Sequence, residues 1–328
     1  MFNKVLSFIE ENEFIILTTH DPADPDGLGT ELVFSFILNK MNKKFKIINA
    51  SPIPPIFKFI DPNNIIETWD PDSHSELLEN SALLMVDTSD EYMLGKMREV
   101  IGKVKETFYF DHHESASQST LKGYSDPTAA AASQLAVELA ITVGVDLDEH
   151  SATAAYTGIV HDTGFFSYSK TTHQTFAIAL YLTNRGALPY RVYHELCESS
   201  SIGALLLHKK VFSSLELISG GRVAVQILRK DDLVKAGACI EDAEHFINIP
   251  LKAKNIEVSI LLKENNEGKV RFSLRSKGNV NVSKIAQGFS GGGHVSAAGF
   301  RSNLDIDKSI EITLKSLIEK IEMQLDNL

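Results

Sequence analysis

Residues 14–29 read FIILTTHDPADPDGLG. The run Phe14–Thr19 is short, apolar and rich in β-branched residues, which suits a buried strand. It runs into a polar loop, His20–Gly29, that carries His20, Asp24 and Asp26 among prolines and glycines, and a helical pattern follows from Thr30 to Met41. Strand, polar loop and helix in that order open a β–α unit, and the first half of the chain repeats it. Lys44–Asn49, Ala82–Val86 and Thr107–Phe110 read as further strands. Helical patterns cover Glu91–Val104, Thr128–Val143, His150–Val160 and His173–Arg185. This alternation predicts an α/β domain around a mainly parallel sheet.

The second half reads differently. Arg222–Leu228, Ile256–Lys263 and Val270–Arg275 are strand-like, with a turn at Asn265–Gly268. Helical patterns occupy Asp231–Ala236, Val282–Gln287 and Asp305–Gln324, so a smaller α+β domain is expected. A chain of 328 residues accommodates two domains. The reading places the first at 1–189, a helical linker at 190–218 and the second at 219–328.

Three of the strands end on residues that carry chemistry. Phe14–Thr19 leads to His20, Asp24 and Asp26; Ala82–Val86 leads to Asp87; Thr107–Phe110 leads to Asp111, His112 and His113. In a parallel sheet the C-terminal strand ends share one edge, where ligands bind. Mixed carboxylates and imidazoles suit Mn²⁺, Mg²⁺, Fe²⁺ or Zn²⁺. So many carboxylates in one place repel one another unless cations intervene. Taken alone, Asp24 and Asp26 also suit a turn beside Pro22, Pro25 and Gly27. The joint pattern points to metal chemistry.

Composition narrows the partners. The net charge of −11 argues against a protein that grips long nucleic acid through its phosphates. A short phosphorylated substrate, with metal ions supplying the positive charge, remains compatible. Two cysteines, Cys197 and Cys239, give neither a disulfide framework nor a thiolate zinc site. Met1–Glu10 reads as a short amphipathic helix, not a signal peptide, and no apolar run approaches the ~20 residues of a membrane span. The expected location is the cytoplasm, with no membrane partner.

Four segments together resemble a known family. HDPADPDGLG at 20–29, MVDTSD at 85–90, FDHH at 110–113 and GIVHDTGFF at 158–166 resemble, in order, the motifs of the DHH phosphoesterase superfamily. FSLRSKGNVNVSKIAQGFSGGGHVSAAG, at 272–299, is similar to the DHH-associated C-terminal domain with its GGGH loop. The two-domain layout most resembles the nanoRNase and pAp-phosphatase branch. The resemblance implies two divalent metal ions, Mn²⁺ by family preference with Mg²⁺ or Fe²⁺ tolerated. His20 and Asp24 would bind the first, Asp87 would bridge, and Asp26, His112 and Asp162 would complete the second. Asp162 comes from the resemblance alone, since by itself His161–Asp162 reads as a helix end capped at Thr163–Gly164.

The resemblance further implies that Asp111 orients the ligand histidine and that His113 faces the substrate phosphate as a donor or leaving-group acid. Arg275, Gly291, Gly292, Gly293 and His294 would hold the distal phosphate or base across a cleft. Read without the family, the GGGH loop is an ordinary tight turn and Arg275 a solvated strand residue. The implied reaction is hydrolysis of short nucleotides (nanoRNA, pApA, pAp or cyclic di-AMP, unranked) to mononucleotides by metal-activated hydroxide. Rival readings are a single-strand exonuclease or inorganic pyrophosphatase of the same superfamily, and a non-catalytic cyclic dinucleotide sensor. The oligomeric state is left open, with a homodimer compatible. Met93 stands where many relatives carry Arg, Ser290 where a further glycine is common, and His161 at a variable position read as structural.

Overall fold

The computed structural model describes residues 2–243, 245–265 and 267–326, apart from the side chains of residues 115, 241 and 294. It divides into two units, Met1–Ser199 and Ser200–Leu328. The stretch expected as a linker is thereby shared: Pro189–Tyr193 and His194–Glu198 fall in the first unit and Ile202–Ser213 in the second.

In the first unit, β1 (Phe14–Thr18), β2 (Lys44–Asn49), β3 (Ile66–Thr68), β4 (Ala82–Val86), β5 (Thr107–Asp111) and β6 (Lys122–Ser125) form one sheet. They pair in the order β3-β2-β1-β4-β5-β6, and every pairing is parallel. The α/β expectation holds. The chain builds outward from β1 through β2 to β3, then returns to the other side of β1 with β4. The order therefore reverses between β1 and β4, and such a switch point leaves a crevice at the carboxyl ends of the two strands. The edge strands β3 and β6 were not expected. With the sequences IET and KGYS they are too short and too polar to show a strand pattern.

The helices are α1 (Asn3–Glu11), α2 (Pro25–Lys40), α3 (Pro71–Leu78), α4 (Ala132–Thr142), α5 (Glu149–Asp162) and α6 (His173–Asn184). Helix α2 begins at Pro25, not at Thr30, so half of the supposed loop is its first turns. The reason is local. The Asp24 carboxylate accepts from the amides of Asp26 and Gly27 as an N-cap, and Pro25 supplies a helical φ at the first position. Helix α2 is almost wholly buried between the sheet and α5. Two glycines set that approach. A Cβ on Gly29 would lie 2.6 Å from the carbonyl oxygen of Ala154, and one on Gly158 would lie 2.9 Å from Cα of Asp26. Between Glu91 and Val100 the expected α-helix is instead 3-10 turns interrupted at Gly95, whose φ is 54°.

In the second unit, β7 (Glu216–Ile218), β8 (Val223–Leu228), β9 (Val258–Glu264), β10 (Val270–Ser276), β11 (Gly292–His294) and β12 (Ala297–Ser302) pair in the order β11-β12-β10-β9-β8-β7. All pairings are antiparallel except β8 with β9. Alternate residues Phe272, Leu274 and Phe300 pack with Ile285, Leu317 and Ile321 from helices on one face. Leu228 and Leu261 meet Leu207 and Val211 on the other. The GGGH segment, expected as a loop, forms the edge strand β11 and hairpins onto β12. Its glycines and alanines carry no hydrophobic alternation, which hid both strands. Among the described residues, no helix is long and apolar enough to cross a membrane.

Gly29→Ala should lower stability by ~1–3 kcal/mol, because the new methyl meets backbone that cannot rotate away. Gly292→Ala, whose Cβ would meet nothing within 4 Å, should leave the urea midpoint unchanged. Equal midpoints for the two variants would refute close helix packing at Gly29.

Candidate metal centre

Five elements meet at the β1/β4 switch point. The end of β1 delivers His20, the start of α2 delivers Asp24 and Asp26, and β4 delivers Asp87. The end of β5 delivers Asp111, His112 and His113, and the last turn of α5 delivers Asp162. His20 Nε2 lies 3.5 Å from both Asp24 Oδ2 and Asp87 Oδ2. The other oxygen of Asp87, Oδ1, lies 3.4 Å from His112 Nε2. That nitrogen is also 3.1 Å from Asp162 Oδ2 and 3.7 Å from Asp26 Oδ2. Two triads result, His20–Asp24–Asp87 and Asp26–His112–Asp162, each with its donor atoms within 4.8 Å of one another. Asp87 touches both.

The donor set fits divalent ions. Asp87 Oδ1 and His112 Nε2 are buried and form no hydrogen bond despite their proximity. Orientation toward a common centre, rather than toward each other, is what ligands of a cation need. His112 presents Nε2 because its Nδ1 faces the carbonyl of Ala129 at 3.4 Å. Asp87 is aimed by its backbone, which adopts the left-handed region at φ 57° while its amide donates to Phe110 O at 2.9 Å. Aspartate is among the few non-glycine residues that adopt this region readily.

Asp26 is fully buried, and its carboxylate also accepts from the amides of Ala132 and Ser133 at 2.6 and 2.8 Å. It thus ties α2 to the start of α4. Burial, then the neighbouring Asp87 and Asp162, push the Asp26 carboxyl upward. Burial opposes charge on His20 and His112, but their carboxylate partners outweigh it and push both to about 11. The nearby carboxylates thus favour the charged form of both imidazoles.

Asp111 acts differently from the expectation. Its Oδ1 accepts from His113 Nδ1 at 2.7 Å and from the amides of His112 and His113, so it orients His113 and not the His112 ring. The His113 side chain is 48% exposed, and hydrogen bonding to Asp111 raises its pKa despite burial. His161, read as structural, lies against the cluster: its Nδ1 is 3.5 Å from Asp162 Oδ1 and 4.0 Å from Asp24 Oδ2.

In the second unit, register places Arg275, Ala297 and position 294 in one row across β10, β12 and β11. The side chain of His294 lies outside the described residues. Arg275 Nη1 donates to Leu274 O at 3.1 Å. The three glycines divide in role. A Cβ on Gly291 would strike the carbonyl of Gly299, and one on Gly293 the carbonyl of Ala297, so these two serve the hairpin. Only Gly292 opens onto free space.

Residues 220–326 match the DHHA1 domain. The second unit is a DHHA1 domain. The whole chain is similar to the bifunctional oligoribonuclease and PAP phosphatase NrnA of Thermus thermophilus, 29% identical and covering 94% of this chain and 90% of the relative. The protein of the same name from Bacillus subtilis is 24% identical, covering 91% of this chain and 92% of its own length. These relatives bear out the resemblance to the nanoRNase and pAp-phosphatase branch of the DHH superfamily. A solved exopolyphosphatase-related protein from Bacteroides fragilis shares the fold, with a TM-score of 0.89 at 23% identity over 98% of this chain and 97% of that one.

Ahead of the DHHA1 domain, a buried network that sequence reasoning missed supports His20. Asn49 Oδ1 accepts from the Thr19 amide at 3.1 Å and from Thr18 Oγ1 at 3.3 Å, fixing the residues that precede His20. Asn49 Nδ2 donates at 2.9 Å to Glu31 Oε2 on α2. The available signal was a lone glutamate within an apolar helix. Burial pushes Glu31 up to about 8, against the lowering effect of Asn49.

Between the ordinary value of 4.5 and about 8, folded Glu31 keeps a proton that the unfolded chain has lost. Its contribution is therefore complete below 4.5 and falls as pH rises through that window. Glu31→Gln should abolish this decline, which is on the order of a few kcal/mol. Urea titrations across the window check it, and parallel pH profiles for the two proteins would sink the assignment.

Proposed function

We propose that the chain is a divalent-metal-dependent phosphoesterase that hydrolyses short nucleotides, namely oligoribonucleotides of a few residues and pAp. The observation that carries this reading is Asp87, whose two oxygens separately face His20 and His112. A bridging carboxylate between two imidazole–carboxylate sets is the framework of a two-ion centre. When bound, such a pair supplies an activated water and neutralises charge on a phosphoryl group. The activities for which the relatives are named suggest the substrate class, and the net charge of −11 favours short substrates over long strands.

The chain's own residues then divide the work. His20, Asp24 and Asp87 hold one ion; Asp26, Asp87, His112 and Asp162 hold the other, with Mn²⁺ the expected occupant. His113, half-exposed and tethered through Nδ1 to Asp111, presents Nε2 to an incoming phosphate or to the leaving oxygen. In the DHHA1 domain, Gly292 offers unobstructed backbone and Arg275 a guanidinium in the row that contains position 294. An anionic group or base of a nucleotide suits that combination.

Asp87→Asn separates chemistry from folding, because asparagine tolerates the left-handed backbone that Asp87 adopts. Mn²⁺ affinity, read by calorimetry, should fall by more than ~100-fold while the metal-free variant melts no lower than the metal-free native protein, since loss of a direct ligand exceeds loss of a supporting group. Near-native affinity would remove Asp87 from the bridging position.

Turnover with Mn²⁺ on pApA, pAp, cyclic di-AMP, pyrophosphate and a 24-mer strand tests the substrate class. Hydrolysis of pApA and pAp should dominate by at least ~10-fold. Preference for pyrophosphate or for the 24-mer would overturn the proposal in favour of the corresponding hydrolase, and binding of cyclic di-AMP without hydrolysis of any substrate would indicate a sensor.

A further inference from the structure

Two further sets of donors adjoin the two triads, and in one of them, Asp87–His112–His113, the His113 Nδ1 is already bonded to Asp111. Asp24, His161 and Asp162 also present ligand atoms within 4.8 Å of one another. His161 lies in the last turn of α5, immediately before Asp162. Its ring meets the Phe57 ring edge-on, with centroids 6.0 Å apart and planes at 78°. Its Nδ1 is buried and makes no hydrogen bond, although two carboxylates lie close by. This is the signature that Asp87 and His112 show at the neighbouring triads.

The carboxylates have capacity for another ion. Asp162 divides its oxygens: Oδ2 faces His112 at 3.1 Å, while Oδ1 faces His161 at 3.5 Å. Asp24 Oδ1 is occupied by the amides of Asp26 and Gly27, which leaves Oδ2 for both His20 and His161. Charge points the same way. Asp24, Asp26, Asp87, Asp111 and Asp162 converge here, and among the described residues their only ion-pair partners are imidazoles. Two divalent ions balance the four ligating carboxylates, Asp24, Asp26, Asp87 and Asp162, while Asp111 is paired with His113. A third gives the site the net positive charge that an anionic phosphate needs.

We propose that His161, Asp24 and Asp162 hold a third divalent cation beside the pair; this rests on the two-ion reading above. The third position is the solvent-facing one. Side chains of Asp24, His161 and Asp162 are 28%, 33% and 22% exposed, against 0% and 2% for Asp26 and Asp87. Three protein donors leave an ion of octahedral preference with free positions, which water or phosphate oxygens fill. The pair belongs to the buried framework, whereas the third ion exchanges with solvent and draws an anionic substrate toward it.

Metal-free protein dialysed against increasing MnCl₂, with bound manganese counted by atomic absorption, tests this without an activity assay. The intact chain should saturate at three ions and His161→Ala at two. His161→Gln, which keeps more of the side-chain volume, should also bind two, and thermal melting identifies either variant if it fails to fold. Saturation of the intact chain at two ions overturns the third site alone. So does a variant that loses no ion, or one that loses more than one, since His161 would then serve the pair. Fewer than two ions in the intact chain would overturn the pair and the third site together.

Discussion

Mutual repulsion among carboxylates is the constraint on which the first unit depends. Asp24, Asp26, Asp87 and Asp162 are brought together by helix and strand ends whose packing leaves them nowhere else to go. The chain compensates this arrangement from several directions. Backbone amides at the start of α4 cap Asp26, amides of α2 cap Asp24, and imidazoles stand between the carboxylates. Each device satisfies part of a carboxylate and leaves an oxygen facing inward. The remaining charge is what a cation neutralises, so metal affinity and folding share one origin.

Supporting contacts extend this logic outward. His20 is aimed by the two threonines before it, and these are held through Asn49 by a glutamate from the helix that also bears Asp24 and Asp26. The His20 side of the centre is thus connected to α2 twice, once through the ligands and once through the buried polar chain. On the other side, Asp111 fixes His113 by side chain and backbone together. That arrangement lets an exposed ring keep one orientation.

Much of the first unit was legible because its central strands are short apolar runs ending on histidine or aspartate. Convergence of His20, Asp87 and His112 follows from parallel pairing alone. Other features were hidden for physical reasons. The α2 start was masked by Pro25 and Gly27, which read as turn formers until the Asp24 cap makes them a helix beginning. Asp162 and His161 sit at a helix end with no local pattern, and only the motif resemblance singled out Asp162. His161 was passed over because its contacts with Asp24 and Asp162 are tertiary. The strands β11 and β12 are glycine- and alanine-rich, and their pairing depends on backbone approach that hydrophobic periodicity does not report.

The early start of α2 has a further consequence. Asp24 and Asp26 face different triads, yet they are the cap and second residue of one helix. A helix advances about 1.5 Å per residue, and its first turn, tied here by capping bonds and by α4, is stiff. The offset between the two triads is therefore written into backbone geometry rather than into side-chain reach. The cluster behaves as a fixed gauge whose interval is set by the first turn of one helix.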